Sequence, residues 1–272
     1  REGECTAGAE VEALGSAAVT AASVDNRGGR VVVNGAGGLT VSTPGNLDNT
    51  DGVLGSTGGN VQLTAATVGN QRGKLVAGQN AVLQIAQLDN RSGQVYAGND
   101  LTLDNANATV LNGSGELSAS NLFTLRAASL DNTGGRVITR SNRLYLGTLN
   151  NTNGEISAYQ QLWAQLQAFQ GSGGRMFGGT ELELHLAGNY THGTGQQLQS
   201  NGRLALNVGG TLTNQGRIET SGNLELNAAQ IDNTGTLDAP TPQAALGAAA
   251  AVSATETAAA PHGILGQQVV IS

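Results

Sequence analysis

The sequence predicts an all-β protein, a right-handed parallel β-helix (β-solenoid) of about 20 residues per coil. Three observations carry that prediction. A tetrad Asn-x-x-Gly returns at nearly constant spacing, an alternating aliphatic segment lies midway between successive tetrads, and the composition is poor in charge and rich in turn formers.

The tetrad opens with Asp25-Asn26-Arg27-Gly28-Gly29-Arg30-Val31 and returns at Asn49, Asn70, Asn90, Asn112, Asn132 and Asn151. Degenerate copies stand at Gly171 to Gly174 and His192 to Gly195, and shortened ones at Asn214-Gln215-Gly216 and Asn233-Thr234-Gly235. From 26 to 233 the first positions advance by 23, 21, 20, 22, 20, 19, 20, 21, 22 and 19 residues. A period this steady marks a repeat architecture, in which one unit cannot bury its apolar face until neighbours stack on it.

Between tetrads lie Leu39-Thr40-Val41, Val61-Gln62-Leu63, Leu83-Gln84-Ile85, Leu101-Thr102-Leu103, Leu144-Tyr145-Leu146, Leu182-Glu183-Leu184, Leu204-Ala205-Leu206 and Leu224-Glu225-Leu226. Alternation of this kind marks a strand with one buried face. The aliphatic residue shortly before each Asn, such as Leu47, Leu88, Leu130, Leu149 or Ile231, supplies a third inward position. Each repeat therefore reads as short strands and turns making one coil, and eleven coils at about 4.8 Å each make a rod of about 50 Å.

Two ladders are expected along the stack. The asparagines Asn26, Asn49, Asn70, Asn90, Asn112, Asn132, Asn151 and Asn233 are placed to pass amide hydrogen bonds from coil to coil. The residue after the tetrad glycine runs Glu116, Arg136, Glu155, Arg175, so charges alternate in sign where neighbours stack. A leucine-rich repeat is excluded because Leu-x-Leu and Asn lie half a repeat apart, and a propeller blade because its period is about twice as long.

Charged residues make up 12% of the 272-residue chain and aromatics 3%, with 41 glycines and four prolines. The surface must then be built from Asn, Gln, Ser, Thr and Gly, of which Gly and Asn tolerate left-handed turns. A net charge of −7 offers no basic face, so nucleic acid is not an expected partner. Cys5 has no internal disulfide partner, and no Cys/His set has zinc spacing. No metal or cofactor is expected, and no apolar run reaches membrane-spanning length.

The chain opens Arg1-Glu2-Gly3, without an initiator Met or signal-peptide pattern, and reads as a fragment whose export signal lies upstream. Residues 1–238 are expected to form the β-helix, beginning with a partial coil. Residues 239–262 read as an Ala/Pro-rich insertion or loop, and 263–272 as re-entry into a coil.

The unit Leu-Asp-Asn-x-x-Gly-x-Val followed by Leu-x-Leu, as in Leu88 to Val95 with Leu101 to Leu103, resembles the haemagglutinin repeat of filamentous-haemagglutinin-like exoproteins. These include the large toxins of contact-dependent growth inhibition. The resemblance covers roughly residues 20–238 and is specific through its number of copies. It implies a β-helical filament, secreted to the bacterial surface through an outer-membrane two-partner secretion transporter, that presents adhesive or toxic domains to a target-cell receptor. The coils near 171 and 192 depart from the pattern and are expected to be distorted.

A β-helical polysaccharide-degrading enzyme is the rival reading; against it, Asp25 with Asp48 occupy the turn position that turn formation already explains, and Glu181 and Glu183 read as a solvated strand face. The Gly-Gly-x-Gly-x-Asp nonapeptide of calcium β-rolls is absent. His185 and His192 read as surface residues. Tyr145 and Trp163 are expected to point outward one coil apart, either as rung-to-rung stacking or as a binding site for carbohydrate or a partner protein. The expectation is a structural stalk, not an enzyme.

Overall fold

The computed structural model describes residues 10–238 throughout, together with the backbone of the short strands Ala244–Leu246, Val252–Ser253, Ile264–Leu265 and Val269–Ile271. Among the described residues every element is a strand and the strand pairings are parallel, with partners about one repeat apart. The fold is a parallel β-solenoid. The chain divides into two compact units, Arg1–Arg140 and Ser141–Ser272.

In the first unit, the strand Glu10–Ala13 pairs with Arg30–Val33, and Ala17–Thr20 with Leu39–Ser42. The partial coil expected at the start thus serves as a template for the next. From there a short strand follows each tetrad, as in Val53–Ser56, Lys74–Ala77 and Gln94–Ala97, and a longer one closes the coil, as in Val61–Gly69 and Ala81–Asp89. Paired residues in the buried columns of this unit are one repeat apart, 20 to 23 residues. One column runs Val31, Leu54, Leu75, Val95, Leu117. A second runs Leu39, Val61, Ala81, Leu101, Phe123, and a third Val24, Leu47, Val68, Leu88, Val110, Leu130. All of these side chains are buried. Burying a Leu or Val side chain contributes about 1.5–3 kcal/mol, so these columns are the main stabilising feature of the coil.

The second unit repeats the plan. Ile156, Met176, Leu198, Ile218 and Leu237 form one buried column, and Leu144, Ala164, Leu184, Leu206 and Leu226 another. Beyond residue 238, Ala244–Leu246 pairs with Leu224–Leu226, Ile264–Leu265 with Leu237–Asp238, and Val269–Ile271 with Ala244–Leu246. Most of the Ala/Pro-rich segment 239–262 lies outside the described residues, as does Cys5.

Composition suggests that Asn and Gly serve as left-handed turn residues; the structure divides the roles differently. In each full tetrad the fourth amide donates to the first carbonyl, at 3.0 Å for Gly52 to Asn49, Gly73 to Asn70, Gly93 to Asn90 and Gly115 to Asn112. The left-handed position is the third, held by Asp51, Arg72, Ser92, Ser114 and Asn153 with φ of 52–57°, and by glycine at Gly28, Gly134 and Gly173. The fourth glycine answers to stacking. A Cβ on Gly93 would strike the Asn70 carbonyl of the preceding coil, and Gly52, Gly73, Gly115 and Gly135 meet the same obstacle.

Candidate functional site

The tetrad asparagine points inward and is sealed from water. Asn49, Asn70, Asn90, Asn112, Asn132 and Asn151 have no exposed surface, and Asn26 has 2%. In the first unit Nδ2 of each donates to Oδ1 of the next: Asn26 to Asn49 at 2.6 Å, then Asn49 to Asn70, Asn70 to Asn90, Asn90 to Asn112 and Asn112 to Asn132 at 2.7 Å. The same amides donate to the backbone carbonyls of Val53, Lys74, Gln94, Glu116 and Arg136 at 3.0–3.2 Å. From Asn49 to Asn112 both amide hydrogens and the amide oxygen are thereby used, as burial demands. In the second unit Asn151 reaches the Arg175 carbonyl at 3.1 Å, and Asn214 donates to Asn233 at 2.7 Å.

The residue preceding the ladder asparagine caps the turn. Its side-chain oxygen accepts the amide of the residue two places on, in Asp25, Asp48, Asp89, Asp131 and Asn150, at 3.0–3.2 Å. Arg27 binds Asp25 at 2.6 Å and approaches Asp48 at 3.8 Å. Its hydrogen bond holds the Asp25 carboxyl at about 2. A carboxylate so held is a poor general acid, which weighs against using Asp25 and Asp48 as a catalytic pair. The charge ladder includes the links Arg136 to Glu116 and Arg175 to Glu155, each at 3.5 Å on the surface.

Tyr145 and Trp163 come together on an outward face of the second unit. Their ring centroids lie 4.9 Å apart, and Trp163 continues to His185 at 5.4 Å. Register explains the approach: Trp163 pairs with Glu183, and His185 lies in register with Gln165, the partner of Tyr145. Tyr145 is 39% exposed and Trp163 half-buried. A groove of about 290 Å³ beside them is lined by Arg143, Gln161, Glu181 and Glu183 as well as the two rings.

Sequence reasoning missed the charge cluster on that face. Arg203 binds Glu225 at 2.6 Å, Glu183 at 3.1 Å and also Glu181. Hydrogen bonding to these carboxylates holds the guanidinium firmly protonated and lowers Glu225 below the usual range. The signal was the strand register, which stacks Glu181 on Arg203 and Glu183 on Ala205 and Glu225. Glu181 and Glu183 are therefore ion-paired rather than simply solvated.

His192 also departs from expectation. It is fully buried, in register with Asn214. Among the described residues no three His, Cys, Asp or Glu side chains gather at metal-binding distance, and no helix is long and apolar enough to cross a membrane.

The haemagglutinin repeat model matches residues 6–59, 56–108, 102–164 and 147–259. The chain belongs to the haemagglutinin repeat family. Its repeats are similar to part of Toxin CdiA from Yersinia pestis, with 30% identity over 233 residues, 79% of this chain and 7% of that protein. They are also similar to part of the tRNA nuclease CdiA-2 of Burkholderia pseudomallei strain 1026b, with 26% identity over 227 residues, 81% of this chain and 6% of that protein. No solved structure matches the chain significantly. The chain thus spans only a small fraction of these relatives' length.

Proposed function

We propose that these haemagglutinin repeats are a stalk segment of a large exported bacterial surface protein, an adhesin or a contact-dependent growth inhibition effector. The observation that carries the reading is the asparagine ladder: the buried tetrad asparagines are spent on joining one coil to the next. In this reading the toxin or nuclease activity named for the relatives belongs to other parts of such a protein. A two-partner secretion transporter exports the chain, and a receptor on the target cell is met by the domains it carries. Nearest-neighbour stacking suits export, because each coil folds on the one already formed. The segment 239–262 is read as an insertion borne by a coil, with 263–272 returning to the stack.

The test is replacement of these repeats, in the full-length exoprotein, by the same number of coils from an unrelated parallel solenoid. Secretion and target-cell activity are expected to survive, since a stalk contributes reach. Loss of activity with secretion intact overturns the reading.

A second reading is favoured by one observation. Six of the eight aromatic residues, Tyr145, Tyr159, Trp163, Phe169, Phe177 and Tyr190, fall within residues 145–190, and Tyr145 and Trp163 border a polar groove. Aromatic faces beside carboxylate and guanidinium groups fit a carbohydrate, whose apolar ring faces stack while its hydroxyls hydrogen-bond. Trp163→Ala is expected to abolish target-cell binding without loss of stability under this reading. Unchanged binding leaves the stalk alone.

A further inference from the structure

Where the regular coil carries Leu-Asp-Asn, one coil carries Tyr190-Thr191-His192, with Tyr190 in register with Leu212 and His192 with Asn214. The preceding coil has Phe169-Gln170-Gly171 at the same place, so the ladder has no asparagine there. Four side chains fill the gap. Phe169 stacks on Tyr190 at 5.4 Å, and the space a Cβ on Gly171 would need is held by the Gln196 amide and the Phe169 ring.

The hydrogen bonds of this plug have fixed directions. Gln196 Nε2 donates to the Tyr190 hydroxyl at 2.7 Å. His192 Nε2 lies 3.0 Å from the Arg217 carbonyl, which can only accept, so Nε2 carries a proton. Nδ1 lies 3.2 Å from the Tyr190 hydroxyl, whose oxygen already accepts from Gln196 and whose own proton must go to Nδ1. The network is complete with a neutral imidazole and with no other protonation state. Tyr190 is 3% exposed and His192 has no exposed surface.

We propose that the Tyr190–His192 coil is an acid-sensitive joint, at which protonation of His192 opens the stack toward Asn214–Arg217 while the all-asparagine ladder of residues 26–132 stays closed. A proton on Nδ1 confronts a hydroxyl that must then accept twice and strands its own hydrogen in the core. Among the described residues, no carboxylate hydrogen-bonds or ion-pairs with the imidazole to repay the new charge. The imidazole meets Tyr190 on its own strand, the Arg217 carbonyl and the backbone at Gly216. Of the charged groups on the packed elements, Arg217 turns outward to Asp238 and Glu219, and Arg203 to its three glutamates. Asparagine has no proton to gain in this range, so the first unit's ladder is indifferent to it.

Burial lowers the folded-state affinity of His192 for a proton. Below the unfolded value of about 6.5 the open state binds a proton that the closed state refuses, so stability is full above that pH and falls below it. Carboxylates with shifted affinity, among them Asp25, Asp51, Asp89 and Glu225, are all shifted downward and titrate below this window.

The experiment is hydrogen exchange of the whole chain at pH 7.5 and 5, corrected for intrinsic rates and resolved by peptide. Peptides within 186–220 are expected to open up to about thirtyfold more at pH 5, the limit set by a free histidine. Peptides within 60–130 are expected to change less than threefold. His192→Asn, which restores a ladder residue that can donate to the Arg217 carbonyl, should abolish the response. Equal protection at both pH values, uniform loosening along the chain, or an unchanged response in His192→Asn overturns the proposal. Should that variant not fold, nitrogen-15 spectra of the unaltered chain decide: a neutral imidazole protonated on Nε2 is expected at pH 7.5, and a charged ring or the opposite tautomer overturns it.

Discussion

Ser92 and Gly93 are neighbours in one turn and answer to opposite demands. Ser92 occupies a left-handed conformation, with φ of 57°, which an L-residue adopts at a cost of about 1–2 kcal/mol. Gly93 is needed because the coil below leaves no room for a Cβ above the Asn70 carbonyl. Ser92→Gly should therefore raise stability by up to about 1 kcal/mol, the relief of strain being offset in part by a freer unfolded chain. Gly93→Ala should lower it by about 2 kcal/mol or more through the forced separation of two coils. Urea unfolding of the two variants measures both, and similar effects at the two positions would refute the division of roles. The tetrad alone does not reveal it, because Gly28 and Gly134 place glycine at the third position as well.

At the scale of the element, the ladder turns a row of turns into a continuous hydrogen-bonded rail. Asn90 accepts from Asn70 and donates to Asn112 and to the Glu116 carbonyl. Truncating it leaves three buried groups without their partner, at about 1–3 kcal/mol each, so Asn90→Ala should destabilise the chain by about 3–5 kcal/mol in chemical denaturation. A loss below 1 kcal/mol would mean that water reaches the rail. This rail was legible in the sequence because a polar residue returning every coil beside buried aliphatic columns has to be satisfied by its own copies. Tyr145 and Trp163 were likewise legible as outward neighbours, from alternation and the repeat length. The His192 plug was not legible. It joins residues from two degenerate coils, and Gln196, which fills the hole at Gly171, lies outside the tetrad's first position. The Arg203 cluster escaped for a related reason, since its members come from three successive coils and are recognisable only once strand register is fixed.

At the scale of the whole molecule, stability is a sum over neighbouring coils, and that makes coils countable and removable. Lys74 and Gln94 are in register with each other and with Val53, so they occupy one position in successive coils. Deleting residues 74–93 joins Gly73 to Gln94 and offers Val53–Ser56 the same kind of partner it had before. Asn70 then faces Asn112 as it faced Asn90, and Val61–Gly69 meets Leu101–Asp104 and Thr109–Leu111 with its apolar residues still inward. The chain is expected to fold, to keep its strand signal in circular dichroism, and to lose stability only by about one coil's share. Deleting residues 84–93 removes ten residues and one tetrad, which leaves Asn70 with no amide partner and Lys74–Ala77 with no strand above it. That shorter deletion should unfold the neighbouring coils, seen as lost protection in hydrogen exchange, although it takes away half as much sequence. If the ten-residue deletion proves as stable as the twenty-residue one, coil register is not what holds the stack together.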